Sequence, residues 1–207
     1  MSRSWFISFE GIDGAGKSTH IEGLAQWFKS RGHVVTLTRE PGGTPLAEKL
    51  RELALHESMD SLTEALIMFA ARREHIEQVI RPALSAGEVV ISDRFTDASF
   101  AYQCGGRGLP EARLAVLESW VHADLNPNLT LLFDLPPEIA AQRLASARAP
   151  DKFEREKTDF HARVRAAYLR RAEQFPQRIR VIDGSRSIDA VRLQLTAVLA
   201  SSLESLA

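Results

Sequence analysis

Eight residues, Gly11-Ile12-Asp13-Gly14-Ala15-Gly16-Lys17-Ser18, stand between an apolar run, WFISFE, and a stretch with helical spacing, THIEGLAQWF. They fit G-x-x-x-x-G-K-[ST], with Gly11, Gly16, Lys17 and Ser18 in place. Glycines let successive backbone N–H groups curl around phosphate oxygens without side-chain clash. A helix opening near Lys17 adds the positive end of its dipole. Lys17 is then the cation for the β- and γ-phosphates, and Ser18 a ligand for Mg²⁺. The anion expected here is a nucleoside triphosphate.

A second chemical cluster is VVISDRF, an apolar run ending in Asp93, Arg94 and Phe95. At the end of a buried strand, Asp93 can hold a metal-bound water or orient a cation. Arg94 offers a planar fork suited to a second phosphate. The bland alternative is a solvated surface pair. Further arginines follow the same logic: Arg39 in TREPGG, Arg51 in LAEKLREL, and Arg72 and Arg73 in MFAARREH. Helical spacing sets Arg72 one turn from Met68, Phe69 and Ile76, so a base lying on that surface could have its carbonyl held by Arg72. On these residues alone Phe69 could equally be core, with the arginines reaching for solvent.

The elements that must position these groups alternate. Strands are expected at 5–10, 34–38, 89–92, 129–134 and 179–183, and helices at 18–31, 46–56, 62–84, 110–122, 137–147, 158–175 and 188–206. Residues 39–45 read as loop on Pro41, Gly42, Gly43 and Pro45, and 95–109 as a long loop or broken helix. Residues 148–157 are strongly charged with no apolar period. Apolar strands separated by helices predict an α/β fold: a five-stranded parallel sheet covered by helices on both faces. Ligands of such sheets bind beyond the carboxyl ends of the strands, so the loops after Glu10, Thr38, Ser92, Asp134 and Asp183 should share one cleft.

Composition narrows the classes. The 207 residues suit one domain with a sizeable core, and 44% hydrophobic with 26% charged is ordinary for a soluble protein. A net charge of −1 gives no general attraction for nucleic acid or an anionic membrane. No run approaches the roughly 20 apolar residues of a membrane span. One cysteine, Cys104, excludes an intrachain disulfide. With no secretory pattern at the start, the expectation is a cytoplasmic protein. The phosphate loop leaves open a switch GTPase, a motor or DNA-handling ATPase, and a small-molecule kinase. No N-K-x-D guanine-reading tetrapeptide is present, and the chain is small and near neutral for a DNA-handling ATPase.

In combination, FEGIDGAGKST, TREPGG, LREL, MFAARREH, SDRF, DASFAYQCGGRG and the charged segment around DKFERE resemble thymidylate kinases, nucleoside monophosphate kinases of the P-loop class. The motifs run in the family's order from residue 9 to about 157. The resemblance implies a single P-loop kinase domain over 1–207 with a mobile lid at about 146–158. It implies a homodimer that transfers the γ-phosphoryl of ATP to dTMP, with Mg²⁺. It carries ATP binding to Gly11, Ile12, Asp13, Gly14, Ala15, Gly16, Lys17, Ser18 and Thr19, and the metal to Ser18 and Asp93. On the dTMP side, Asp13 approaches the sugar 3′-hydroxyl, and Arg94 grips the phosphate with Arg39 or Arg51 near it. Arg72 meets the thymine carbonyl, Ser99 and Gln103 line the base edge, and Tyr102 packs on the deoxyribose. The Glu40–Pro41 bond is expected to be cis.

Three departures from the family's usual pattern stand out. Met68 occupies the base-stacking position, so either its thioether or the neighbouring Phe69 covers the ring. Cys104 replaces a glycine, which would be strained at positive φ. The lid's usual Asp-Arg is Asp151-Lys152, which keeps the charge but loses the bidentate fork. The loop itself carries no arginine, so the catalytic cation is expected from the lid: Arg148, with Arg143 as second candidate.

Overall fold

In the computed structural model, which describes residues 4–144, 152–153 and 156–204, the chain begins with strand β1 (Trp5–Glu10), helix α1 (Lys17–Lys29), strand β2 (Val35–Arg39), and helices α2 (Pro45–His56) and α3 (Ser61–His75). A π-helical turn (Ile76–Ile80) leads to α4 (Arg81–Ser85) and strand β3 (Val89–Asp93). A short α5 (Thr96–Ser99) runs into a second π-helical stretch (Phe100–Gly106), followed by α6 (Glu111–Val121), β4 (Leu129–Asp134) and α7 (Pro137–Leu144). The chain finishes with α8 (Thr158–Gln174), β5 (Ile179–Asp183) and α9 (Ile188–Glu204). Arg148 and Asp151 lie outside the described residues.

The five strands are parallel in the order β2-β3-β1-β4-β5. Phe9 and Arg39 both register on Asp93, and Asp134 on Asp183, so the carboxyl ends are nearly level. From β1 the chain winds out to one side and then crosses to the other, which makes the end of β1 the switch point where such sheets bind ligands. All six residues of β1 are buried. Ile7, Phe9, Val89 and Ile91 join the cluster holding Leu24 and Phe28 of α1. Phe6 and Val90 point the other way, onto Ile76 and Ile80. Each such side chain contributes about 1.5–3 kcal/mol by leaving water.

The expected helix at 62–84 is one continuous rod, widened by the π turn in the middle. Its start is capped by Asp60, whose carboxylate accepts from the N–H groups of Leu62 and Thr63. Of the stretch expected as a long loop or broken helix at 95–109, residues 96–106 are helical and mostly buried, α5 passing into the π-helical stretch. Two glycines explain how. A Cβ on Gly105 would lie 2.5 Å from the Ala167 methyl, and one on Gly106 would lie 2.4 Å from the Phe160 ring. Their absence lets α8 press directly on this backbone. Cys104 sits inside this stretch with helical backbone, so the expected strain does not arise. Its thiol is buried, and desolvation pushes its pKa up to about 11. The Glu40–Pro41 bond is cis. Among the described residues, no helix is long and apolar enough to cross a membrane.

Candidate active site

Gly11, Gly14 and Gly16 all have positive φ, at 129°, 81° and 96°. At Gly11 a side chain is doubly forbidden, since its Cβ would stand 2.4 Å from the Phe133 carbonyl oxygen. The loop therefore wraps tightly between β1 and β4 and delivers the first turn of α1 at the sheet's carboxyl edge. Lys17 is buried there and donates to the carbonyls of Gly11 (3.0 Å) and Ile12 (3.2 Å). Burial, with Arg94 nearby, lowers its pKa, while Asp93, Asp13 and Glu10 pull the other way.

Arg94, directly after β3, has φ 71°, a left-handed conformation costly for a residue with a Cβ. Two bonds hold it. Its N–H donates to the Phe9 carbonyl at 2.9 Å, and its own carbonyl accepts from the Ser92 hydroxyl at 2.6 Å. This turn aims the guanidinium back over the phosphate loop, where Nη2 donates to Asp13 (2.7 Å) and to the Tyr102 hydroxyl (3.2 Å). Burial would raise the Asp13 pKa, but Arg94 and Lys17 hold it far below the usual carboxylate range. Arg94 Nε is buried with no partner among the described residues. Lys17, Asp13 and Arg94 thus form one charged group at the switch point.

Beyond Arg94 opens a cavity of about 580 Å³, its mouth included. Asp13, Arg51, Met68, Arg72, Ser99, Tyr102 and Gln103 are among the residues that line it. Arg72 is the best-fixed cation of this wall. Its Nε donates to Glu40 at 2.6 Å, and Nη2 to Ser99 (3.0 Å) and the Phe95 carbonyl (3.2 Å). Its remaining Nη1 is buried with no partner among the described residues, a donor awaiting an acceptor. Glu40 is held in turn by His75 at 2.9 Å, and Arg72 together with His75 keeps its pKa low against the effect of burial.

Two expected residues are not brought to this cavity. Arg39 is exposed and pairs with Glu48 at 2.9 Å, because β2 ends at the sheet's edge. Arg51 takes the cavity position, held by the Pro41 carbonyl at 2.8 Å. Phe69 turns away into the cluster of Ala65, Phe100 and Leu114, with Arg72 over its ring at 4.7 Å, so Met68 alone of the pair faces the cavity. Lys152 bonds Glu64 at 2.9 Å and the Glu57 carbonyl at 3.2 Å. Arg143 lies against the phosphate loop, donating to Gly14 (3.4 Å) and Gly184 (3.1 Å) carbonyls.

Two flanking clefts meet the loop. One is lined by Ser18, Thr38, Arg39 and Asp93, and Asp93 Oδ1 there is buried without a partner among the described residues. The other, lined by Gly16, Thr19, His20, Arg143, Gly184 and Arg186, opens beside the first turn of α1.

The model of the family described as thymidylate kinase matches residues 9–195. The chain belongs to the thymidylate kinase family. It is 61% identical over 197 residues to the thymidylate kinase of Methylobacillus flagellatus, covering 95% of this chain and 97% of the relative. It is 63% identical over 199 residues to that of Cupriavidus metallidurans, covering 96% and 99%. Among solved structures it is similar to the crystal structure of thymidylate kinase from Ehrlichia chaffeensis, with a TM-score of 0.78 and 35% identity over 95% of this chain and 98% of the other.

Several site residues of this thymidylate kinase family member escaped the sequence reading. Glu40 orients Arg72, and its position inside TREPGG was the available signal. Phe153, buried and lining the cavity, was hidden in a segment whose charges dominate its composition. Gly184 and Arg186 follow β5 without any motif. Glu10, completely buried at the end of β1, accepts from the Phe95 N–H (2.7 Å) and the Tyr168 hydroxyl (2.8 Å). It thereby ties the turn that aims Arg94 to α8.

Burial and the nearby Asp97 push the Glu10 pKa from an ordinary 4.5 up to about 8. Between those values the folded chain holds more protons than the unfolded one, so this group's contribution to stability falls as pH rises. Glu10→Gln removes the titration. Its stability relative to the wild type should therefore grow as pH rises from about 5 to about 8.5. Urea melts of both proteins at the two pH values measure this, and an unchanged gap contradicts it.

Proposed function

We propose that this chain is a dTMP kinase, transferring the γ-phosphoryl of ATP to dTMP to give dTDP and ADP on the route to dTTP. The observation that carries the reading is the Lys17–Asp13–Arg94 group, which joins a phosphate loop to a second, arginine-walled nucleotide cavity. A protein binding ATP without an acceptor has no use for the second site.

The acceptor is a phosphate monoester, mostly dianionic near pH 7 because its second pKa is about 6. No base is needed to create the nucleophile. The barrier comes from bringing two anions together, so the site works by positioning and charge neutralisation. ATP phosphates take the N–H groups of residues 11–19 and compete with two loop carbonyls for Lys17. Arg94, with Arg51 near it, holds the acceptor phosphate. Arg72 Nη1 meets the thymine carbonyl, Met68 covers the ring, Ser99 and Gln103 take the base edge, and Tyr102 packs on the sugar. Asp13 receives the 3′-hydroxyl. The cleft lined by Gly184 and Arg186 accommodates the nucleoside part of ATP, and Arg143, which also reaches the Gly14 carbonyl of the loop, is one proposed cation for the triphosphate. Arg148 is the other proposed lid cation.

Ser18 and Asp93 share a cleft and offer hard oxygen donors, and the unpartnered Asp93 oxygen fits a magnesium ion or its water shell. When bound, Mg²⁺ would neutralise β- and γ-phosphate charge. A single buried thiol suits the reducing cytoplasm.

Isothermal titration tests the two-site reading. One equivalent of dTMP should bind whether or not a non-hydrolysable ATP analogue saturates the chain. Competition between the two ligands for a single site contradicts it.

A homodimer fits the surface of α3 and α6. Leu66, Val116 and Trp120 are exposed, Trp120 by 80%, and Arg73 joins the two helices through the Val121 carbonyl at 3.1 Å. Sedimentation at micromolar concentration should give a dimer, and Trp120→Glu a monomer. A monomeric wild type removes this assembly.

A further inference from the structure

Glu64 is a completely buried carboxylate with no part in the phosphate chemistry. It lies on α3 one turn before Met68 and two before Arg72, on the helix stripe whose Met68 and Arg72 line the cavity. Oε1 accepts the side-chain amide of Gln103 at 3.0 Å and Arg107 Nε at 3.4 Å, and Oε2 pairs with Lys152 at 2.9 Å. Arg107 is also paired with Glu156. Two acids and two bases thus balance in one small cluster. Lys152 precedes Phe153, whose ring meets Tyr102 edge-on at 5.6 Å on the cavity wall.

We propose that Glu64 is a positioning residue for base selection: it fixes the Gln103 amide so that its oxygen, not its nitrogen, is offered to the pyrimidine edge. This rests on the dTMP reading above and deepens it. An ionised carboxylate only accepts hydrogen bonds, so the group that Gln103 turns toward Glu64 must be its NH₂. The carbonyl oxygen is then turned away from Glu64, and Gln103 lines the cavity.

Arg72 lines the same cavity, and its Nη1 is a buried donor with no partner among the described residues. An acceptor next to a donor complements the N3–H and C4 carbonyl of thymine or uracil. Cytosine presents the reverse, an acceptor at N3 and an amino group at C4. A flipped Gln103 would suit cytosine's N3, but it would set two acceptors face to face at Glu64. Lys152 and Arg107 donate to the same carboxylate, so every contact Glu64 makes there is as an acceptor, which keeps the amide from turning.

The test compares kcat/KM for dTMP and dCMP, with the KM for ATP and the melting temperature, in wild type, Glu64→Gln and Glu64→Asp. Glutamine at 64 can donate or accept, so Gln103 can sit either way round. The dTMP-over-dCMP ratio should fall about tenfold or more in E64Q, with the ATP KM unchanged. Aspartate remains an acceptor and should hold the ratio within a few fold. An unchanged ratio in a folded E64Q overturns the proposal. So does equal loss toward ATP and dTMP, or, if E64Q does not fold, collapse of the ratio in E64D. A wild type that ignores dTMP altogether overturns the underlying functional reading instead, which separates the two failures.

Discussion

Lys17→Met is expected to lower kcat by on the order of 10³-fold while leaving dTMP affinity nearly intact. The ammonium is the buried cation of the phosphate loop, and it sits in a water-poor site where a positive charge facing a developing anion counts most. Methionine preserves the aliphatic stem and removes the charge together with the two bonds to the Gly11 and Ile12 carbonyls. Relief of the desolvation that depresses the Lys17 pKa offsets much of that loss. The melting temperature of K17M should therefore stay close to that of the wild type. Single-turnover transfer and thermal melts check both halves. A near-normal rate removes Lys17 from the chemistry, and a large fall in melting temperature makes its role structural.

The second large effect is expected at Arg94, and glycine is the informative replacement because φ 71° suits it. If Arg94 grips the acceptor phosphate as proposed, losing two charge-assisted bonds at about 1.5–3 kcal/mol each predicts a fall in kcat/KM for dTMP of roughly 10²–10⁴-fold. ATP affinity should move little. Asp13 simultaneously loses its partner at 2.7 Å. In the wild type its depressed pKa contributes stability that is present above the ordinary 3.8 and is lost as pH falls below it. In R94G burial dominates instead, so acid unfolding should begin at a higher pH. Adding Asp13→Asn should restore acid stability without restoring activity. If R94G keeps its dTMP kinetics, the second phosphate site is elsewhere.

The sequence was most informative where chemistry constrains residue type. The phosphate loop, the Asp93-Arg94 strand end and the alternation of strands and helices each follow from local rules, and all five strands lie within a residue of their expected places. It was least informative where packing decides. Nothing in MFAARREH distinguishes the cavity-facing Met68 from the core-facing Phe69, since one residue of helix rotation separates them. Arg39 and Arg51 differ only in where the sheet edge and α2 carry them. The buried helical stretch at 100–106 read as long loop or broken helix because its glycines signal breaks, whereas here they permit contact with α8. Glu10 and Glu64, buried acids on elements that look ordinary, become visible only once their distant partners, Tyr168 and Lys152, come into contact with them.

In the proposed mechanism one cleft presses a donor triphosphate against an acceptor monophosphate between Lys17 and Arg94. The most direct measurement is ADP release from ATP, with product analysis, across dTMP, dUMP, UMP, CMP and AMP. Release should depend on dTMP and match dTDP formed one for one, with ribonucleotides much poorer. ATP turnover indifferent to dTMP, or a preference for AMP, would contradict it.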